Sequence, residues 1–179
     1  KGAAGYEPEE RLEMVRCSCR SSFCPNCCVG NGLRLRGRLL PVLRTCSGLV
    51  MLTLTIDPKL FESPQDAFEY CRKRRVIGEL IRALKKAGWL HSDRYFCAFE
   101  WQKKTEMIHF HLLVDATIPD GEVRRFHALL CEFWNRNRPA WAGPVVGRRP
   151  GFGSVRFTRS FESNGPQQAA NYVCKYLTK

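Results

Sequence analysis

The stretch Ile108-His109-Phe110-His111-Leu112-Leu113-Val114 decides how this chain is read. Its apolar content and near-alternation predict a β-strand. Residues two apart on a strand point to the same face, so His109 and His111 present their imidazoles side by side while Phe110 faces the other way. Two neighbouring imidazoles make half of a metal site, which a carboxylate or a third nitrogen completes. The plain alternative is two polar residues on the solvated face of an edge strand.

Working outward, Arg94 to Gln102 reads as a second strand, joined to the first by polar Lys103-Lys104-Thr105. Two strands linked in this way predict an antiparallel hairpin. In a hairpin centred on that link, Glu100 falls roughly opposite His109 and supplies the carboxylate; the alternative is a cross-strand ion pair with a lysine such as Lys103. Leu49 to Pro58 predicts a strand ending at a turn, with Thr53 and Thr55 on one face, either satisfied in a buried strand or placed near a phosphate. Asp66 to Ala87 predicts one helix through Phe68, Val76, Ile77, Leu80, Ile81 and Leu84, closed by Gly88. Arg72, Lys73, Arg74 and Arg75 cover its solvated face.

Residues 121 to 135 predict an amphipathic helix through Val123, Phe126, Leu129, Leu130, Phe133 and Trp134. The loop that follows carries Arg136, Arg138, Arg148 and Arg149 with Trp141, a mixture that suits single-stranded nucleic acid or a plain surface loop. Gly153 to Arg159 alternates as a strand with Val155 and Phe157 on one face. A final helix, Gln167 to Leu177, sets Tyr172 and Tyr176 at i and i+4, one above the other, with Lys175 and Lys179 at i+3 and i+7 from Tyr172. The order strand, helix, hairpin, helix, strand, helix predicts an α+β fold, an antiparallel central sheet with helices on one face and the histidine strand central.

The charge balance is unusual for the size. Among 179 residues, 29 Lys and Arg against 17 Asp and Glu give a formal net charge of +12. That excess points to a polyanion partner, nucleic acid ahead of a membrane surface. No run approaches ~18 apolar residues, so no membrane span is expected. No signal peptide is visible, and the chain does not begin with Met; it is expected to be a piece of a longer protein.

Five of the ten cysteines lie between Cys17 and Cys28. The Cys24-x-x-Cys27 pair lets two thiolates reach one ion in a tight turn. Cys17 and Cys19 are candidates for the second pair, Cys28 is a spare, and Cys46 is able to replace any of them. A structural Zn²⁺ here would fold a segment too short to hold itself together; free or disulfide-bonded cysteines are the alternative. Cys97 and Cys174 read as small core residues in a strand and a helix, and the whole pattern as a reducing compartment. Residues 29 to 45 set Arg34, Arg36, Arg38 and Arg44 among leucines of helical spacing, a phosphate-facing surface, with Pro41 predicting a kink or an early end. The expected organisation is therefore an arm, cysteine-rich element and basic helix over 1–46, and a catalytic domain over 47–179.

Together these pieces resemble the HUH endonucleases, the family defined by two histidines separated by one hydrophobic residue, here His109-Phe110-His111. The run Asn171-Tyr172-Val173-Cys174-Lys175-Tyr176-Leu177-Thr178-Lys179 is similar to the two-tyrosine signature of gene A-type replication proteins of small single-stranded DNA phages. Related plasmid initiators and Helitron-like transposases share it. Leu52-Thr53-Leu54-Thr55 resembles that family's first motif, and Cys19 to Cys27 resembles its cysteine-rich N-terminal segment. The close Cys17–Cys19 spacing and the doubled Cys27-Cys28 depart from the pattern and leave the zinc ligand set open.

The resemblance implies a ferredoxin-like sheet and a catalytic Mn²⁺ or Mg²⁺ held by His109, His111 and a third polar ligand, for which Glu100 is the candidate. It implies a site-specific single-stranded DNA nickase and strand transferase, acting at a replication origin or element end by attack of Tyr172 or Tyr176. The expected intermediate is a 5′-phosphotyrosine, and Lys175 would favour the phenolate or steady the phosphate. Arg34, Arg36, Arg38, Arg148, Arg149 and Lys179 are the expected DNA contacts. Host replication proteins or a helicase are expected partners, and the cell interior the expected location: cytoplasmic, or nuclear for a eukaryotic transposon. Two other readings stand beside it. One is a zinc-stabilised DNA-binding module without cleavage. The other is a two-histidine-one-carboxylate iron oxygenase, which explains neither the basic charge nor the paired tyrosines.

Overall fold

A computed structural model of the chain describes residues 28–102, 107–143, 151–159 and 165–177. Four strands form one sheet: β1 (Val50–Thr55), β2 (Leu90–Gln102), β3 (Met107–Ala116) and β4 (Val155–Thr158). They lie in the order β2-β3-β1-β4 with every neighbouring pair antiparallel. Around them are α1 (Cys28–Leu43), α2 (Pro64–Lys73), α3 (Val76–Lys86), α4 (Val123–Arg136) and α5 (Gly165–Leu177). The chain leaves β1 through α2 and α3, returns as β2 on the far side of β3, and turns back into β3, the split β-α-β connection.

The expected single helical layer is corrected to two. Val50, Leu52, Leu54, Phe110, Leu112 and Val114 pack with Val76, Leu80 and Leu84 of α3 and Phe126, Leu130 and Trp134 of α4. Met51 and Leu113 point the other way, into a second cluster with Leu43 of α1 and Ala169, Ala170 and Val173 of α5. The cause is in β3: Leu112, Leu113 and Val114 are all buried, and a strand apolar on both faces needs cover on both. Ala169 and Ala170 let α5 approach the sheet closely.

The helix expected over Asp66–Ala87 is likewise two. α2 ends at Arg74, Arg75 takes a left-handed conformation with φ 51°, and α3 begins at Val76. The apolar stripe lapses between Cys71 and Val76, so Arg72, Lys73, Arg74 and Arg75 are exposed at the break rather than along one continuous helix face. Ser63 caps α2 by accepting from Asp66 N at 3.1 Å, the usual role of an N-cap hydroxyl. In α1, Pro41 falls in the last turn and the helix stops two residues later.

Two contacts seat β1 and β4. Trp134, fully buried, donates its indole N–H to Thr55 O at 2.7 Å, which satisfies the polar atom of a large core side chain. Gly153 lies so close to β1 that a Cβ would fall inside contact distance of the Thr55 carbonyl and 2.9 Å from Ile56 Cα. At the other end of the sheet, buried Asp115 accepts from Ser47 N at 3.0 Å, Gly48 N at 3.2 Å and Ser92 Oγ at 3.1 Å. That carboxylate fastens the entry to β1.

Candidate functional site

The face of the sheet that carries α1 and α5 also carries both histidines. Directly opposed residues of neighbouring strands share a face, so the register can be read across the sheet. One rung runs Ala98, His111, Thr53, Arg156 from β2 to β4. The next runs Glu100, His109, Thr55, and Thr55 continues to Ser154 through a 2.7 Å hydroxyl–hydroxyl contact. Glu100 thus stands opposite His109, as a hairpin centred on the polar link requires.

His111 is the anchored member. Its side chain is 6% exposed, with Nε2 3.3 Å from Glu100 Oε2 and Nδ1 3.3 Å from Thr53 Oγ1. An ionised carboxylate only accepts. Nε2–H therefore donates to Glu100, and in the neutral ring Nδ1 accepts from the Thr53 hydroxyl. Partners on both ring nitrogens fix the tautomer and the ring plane, as hydrogen-bonded imidazoles at metal sites are fixed.

His109 is half-buried, its ring centroid 6.4 Å from that of His111. Burial pulls its pKa below the ordinary imidazole value, against the opposing pull of Glu100. It is neutral near pH 7 and able to offer a lone pair.

Two imidazoles and one carboxylate are a donor set that suits a first-row divalent cation. The donors are cross-strand neighbours, which fits the metal that the resemblance implies. Among the described residues, no group of three or more His, Cys, Asp or Glu side chains already converges on one ion position. Glu100 lies against His111 instead, and ligation would need that hydrogen bond exchanged for a bond to the ion.

The tyrosine helix lies on the same face. α5 packs through Ala169, Ala170 and Val173 against Met51 and Leu113, the rung adjacent to Thr53 and His111. Tyr172 is 37% exposed and Lys175 is exposed; Tyr176 falls within α5, one turn after Tyr172.

The expected DNA contacts separate into distinct groups. Arg34 and Arg38 are exposed on α1. Arg36 is half-buried and turned to α5: with the Gln167 amide oxygen facing it, that oxygen accepts from Arg36 Nε at 3.0 Å. Arg136, expected in the loop, instead closes α4 and pairs with Glu132 one turn earlier. Arg138 donates to the carbonyls of Gly143 and Ala142 at 3.0 and 2.7 Å and also to that of Gly151, so it shapes the loop. Trp141 stacks edge-on to Tyr70 at 5.5 Å. Arg148, Arg149, Lys179 and the expected zinc ligands Cys17, Cys19, Cys24 and Cys27 lie outside the described residues. Ser154 and Arg156 were not singled out from sequence, although the inward Val155 and Phe157 imply that the residues between them face the histidines.

The chain is an α+β protein whose antiparallel sheet carries an imidazole pair, a carboxylate and a tyrosine helix on one face. The family model of replication-associated protein ORF2/G2P matches residues 49–179, more than two-thirds of the chain, and the chain belongs to that family. Membership supports a rolling-circle replication initiator. Comparison with curated proteins and with solved structures gives no match. Among the described residues, no helix is long and apolar enough to cross a membrane.

Proposed function

We propose that the protein nicks and rejoins single-stranded DNA at a replication origin or element end, by the two-tyrosine chemistry of the HUH endonucleases. The observation that carries this reading is His111, held between Glu100 and Thr53 on the face against which the Tyr172–Tyr176 helix packs.

His109, His111 and Glu100 would hold a divalent cation such as Mn²⁺ or Mg²⁺, which would supply charge neutralisation at a phosphate oxygen. The chain's own groups do the rest. Thr53 orients His111 by accepting from Nδ1–H once Nε2 is released from Glu100, and burial favours the neutral form of His109. Tyr172 or Tyr176 attacks phosphorus, forming the Tyr–O–P bond as the P–O3′ bond breaks. The phenol loses its proton and the departing oxygen gains one, giving a 5′-phosphotyrosine and a free 3′-hydroxyl. Lys175, exposed on the same helix, steadies the phosphate. The second tyrosine, one helical turn away, cleaves a second site while the first bond persists, and the freed hydroxyl then rejoins. One phosphoester replaces another, so no nucleotide cofactor enters.

The cysteines of the N-terminal segment are proposed to hold structural Zn²⁺, with exposed Arg34 and Arg38 contacting DNA. The test is covalent-adduct formation between the protein and a single-stranded origin oligonucleotide with Mn²⁺, resolved by denaturing electrophoresis. Tyr172→Phe and Tyr176→Phe should each alter the adduct and together abolish it. An undiminished adduct in the double variant overturns the assignment. Binding without any adduct in the unaltered protein identifies a DNA-binding module instead.

A further inference from the structure

The imidazole–carboxylate pair occupies only part of its sheet face. On the β4 side the same two rungs carry Thr55, Ser154 and Arg156, and nothing in the proposed cleavage chemistry uses them. Arg156 is exposed on this face directly opposite Thr53. Strands lie about 4.8 Å apart, so its Cα is about 10 Å from that of His111, a distance an extended guanidinium side chain spans in large part.

Arg156 differs from its neighbours in what it touches. Arg159 donates to Ile118 O at 2.8 Å and pairs with Asp120 at 2.6 Å. Arg72, Arg82, Arg125 and Arg136 each pair with a glutamate three or four residues earlier. Among the described residues Arg156 has no hydrogen bond or ion pair. The wide depression beside α4 is the other basic candidate, but its Arg159 is engaged with Asp120 and its exposed Arg124 lies on α4, across the sheet from the histidines.

The hydroxyls beside Arg156 are tied to one another and to the backbone. Thr55 Oγ1 accepts from Ser154 N at 2.9 Å, donates to Ser154 O at 3.2 Å and lies 2.7 Å from Ser154 Oγ. With the Thr55 hydrogen on that carbonyl, the exposed Ser154 hydroxyl donates to Thr55 Oγ1 and can rotate to an incoming anion. The pair is held rigidly, because Thr55 N donates to Ser154 O at 2.9 Å and Gly153 permits the close approach. A guanidinium forks onto phosphate oxygens with more directional specificity than an ammonium.

We infer that Ser154, Arg156 and Thr55 form a seat for the phosphodiester backbone of single-stranded DNA, receiving a phosphate beside the one presented to the imidazoles. This rests on the proposed function and extends it. The seat holds the strand in register and is a positioning element. It needs no metal, so binding and cleavage can be separated.

The experiment measures fluorescence anisotropy of a labelled single-stranded oligonucleotide with the full, zinc-replete chain and no added Mn²⁺ or Mg²⁺, across a salt series. Adduct formation with Mn²⁺ is followed in parallel. Arg156→Ala should weaken binding about three- to tenfold at low salt and reduce the slope of log affinity against log salt by about 0.7, the value of one single-strand phosphate contact. Arg156→Lys should keep the slope but recover only part of the affinity. Arg82→Ala, on the opposite face of the sheet, should change neither. Unchanged affinity and slope in Arg156→Ala, or no binding by the unaltered protein, overturns the seat. If Arg156→Ala loses binding while the unaltered protein forms no adduct, the seat stands and the nuclease reading falls. If the adduct forms normally and Arg156→Ala binds and cleaves like the unaltered protein, the reverse holds.

Discussion

The two faces of the sheet use the same four strands to different ends. Under α2, α3 and α4, alternate residues of β1 and β3 meet aliphatic and aromatic side chains, with Leu52, Leu112, Phe126, Leu130 and Trp134 at 0–1% exposure. On the other face α1 and α5 close over the Met51–Leu113 rung, and the segment entering β1 closes over Asp115. The next two rungs present Thr53, His111, Arg156, Glu100, His109 and Thr55. A strand's period of two thus gives the packed core to one set of side chains and the candidate site to the set between them. The polar rungs are tolerated because they neighbour an apolar one and because His111 has a partner on each nitrogen; a buried imidazole without them would be costly.

The largest expected effect comes from joining the two faces' fates. Gly153→Ala should cost about 3 kcal/mol, by overpacking against the β1 backbone, read by denaturant unfolding. It should displace Ser154 and Arg156 while the Glu100–His111 hairpin keeps its metal affinity; retention of full stability would show that β4 is not seated as described. Next, Glu100→Ala should weaken Mn²⁺ binding 10- to 100-fold by calorimetric titration, and should cost about 1–2 kcal/mol in unfolding because it strips the partner from buried His111 Nε2. Loss of stability without loss of metal affinity would take Glu100 out of the ligand set. Thr53→Val keeps the shape but removes the donor at His111 Nδ1, and should cost about 1–2 kcal/mol.

The smallest effect belongs to the packed face. Burial pushes the Cys71 thiol up to about 12, against about 8.5 when unfolded. The folded state therefore holds a proton that the unfolded state releases, so this contribution is complete below about pH 8.5 and declines as pH rises toward 12. The slope approaches about 1.4 kcal/mol per pH unit. Cys71→Ala should flatten the fall of melting temperature between pH 8 and 10; an unchanged decline would place its origin elsewhere.

Much of this division was legible in the residues. The alternation around His109 and His111, the polar link after Gln102 and the acid three residues before that link were enough to oppose Glu100 to His109. Helices α4 and α5 followed from their apolar spacing and from Asn164-Gly165-Pro166 at the start of the latter. The break at Arg74–Arg75 was not legible, because a left-handed arginine carries no glycine signal. The second helical layer was half visible, in the unbroken burial of Leu112, Leu113 and Val114, but its partners come from opposite ends of the chain. Arg36 looked like any exposed cation of a basic helix, and only the packing of α1 on α5 turns it inward. Arg138 looked equally free until the loop carbonyls it bridges were in place.

The separation of partners along the chain sets the order in which the site is assembled. Glu100 and His111 are 11 residues apart, whereas Thr55 and Ser154 are 99 apart. Short loops close at lower entropic cost and non-local strand pairs form slowly. A ribosome releasing this chain delivers the histidine hairpin well before β4 emerges. The proposed metal ligands therefore come together before the edge inferred to hold the strand and before the tyrosines of α5, so truncated or stalled chains would carry that ligand set without the Ser154–Arg156 seat or the proposed nucleophiles.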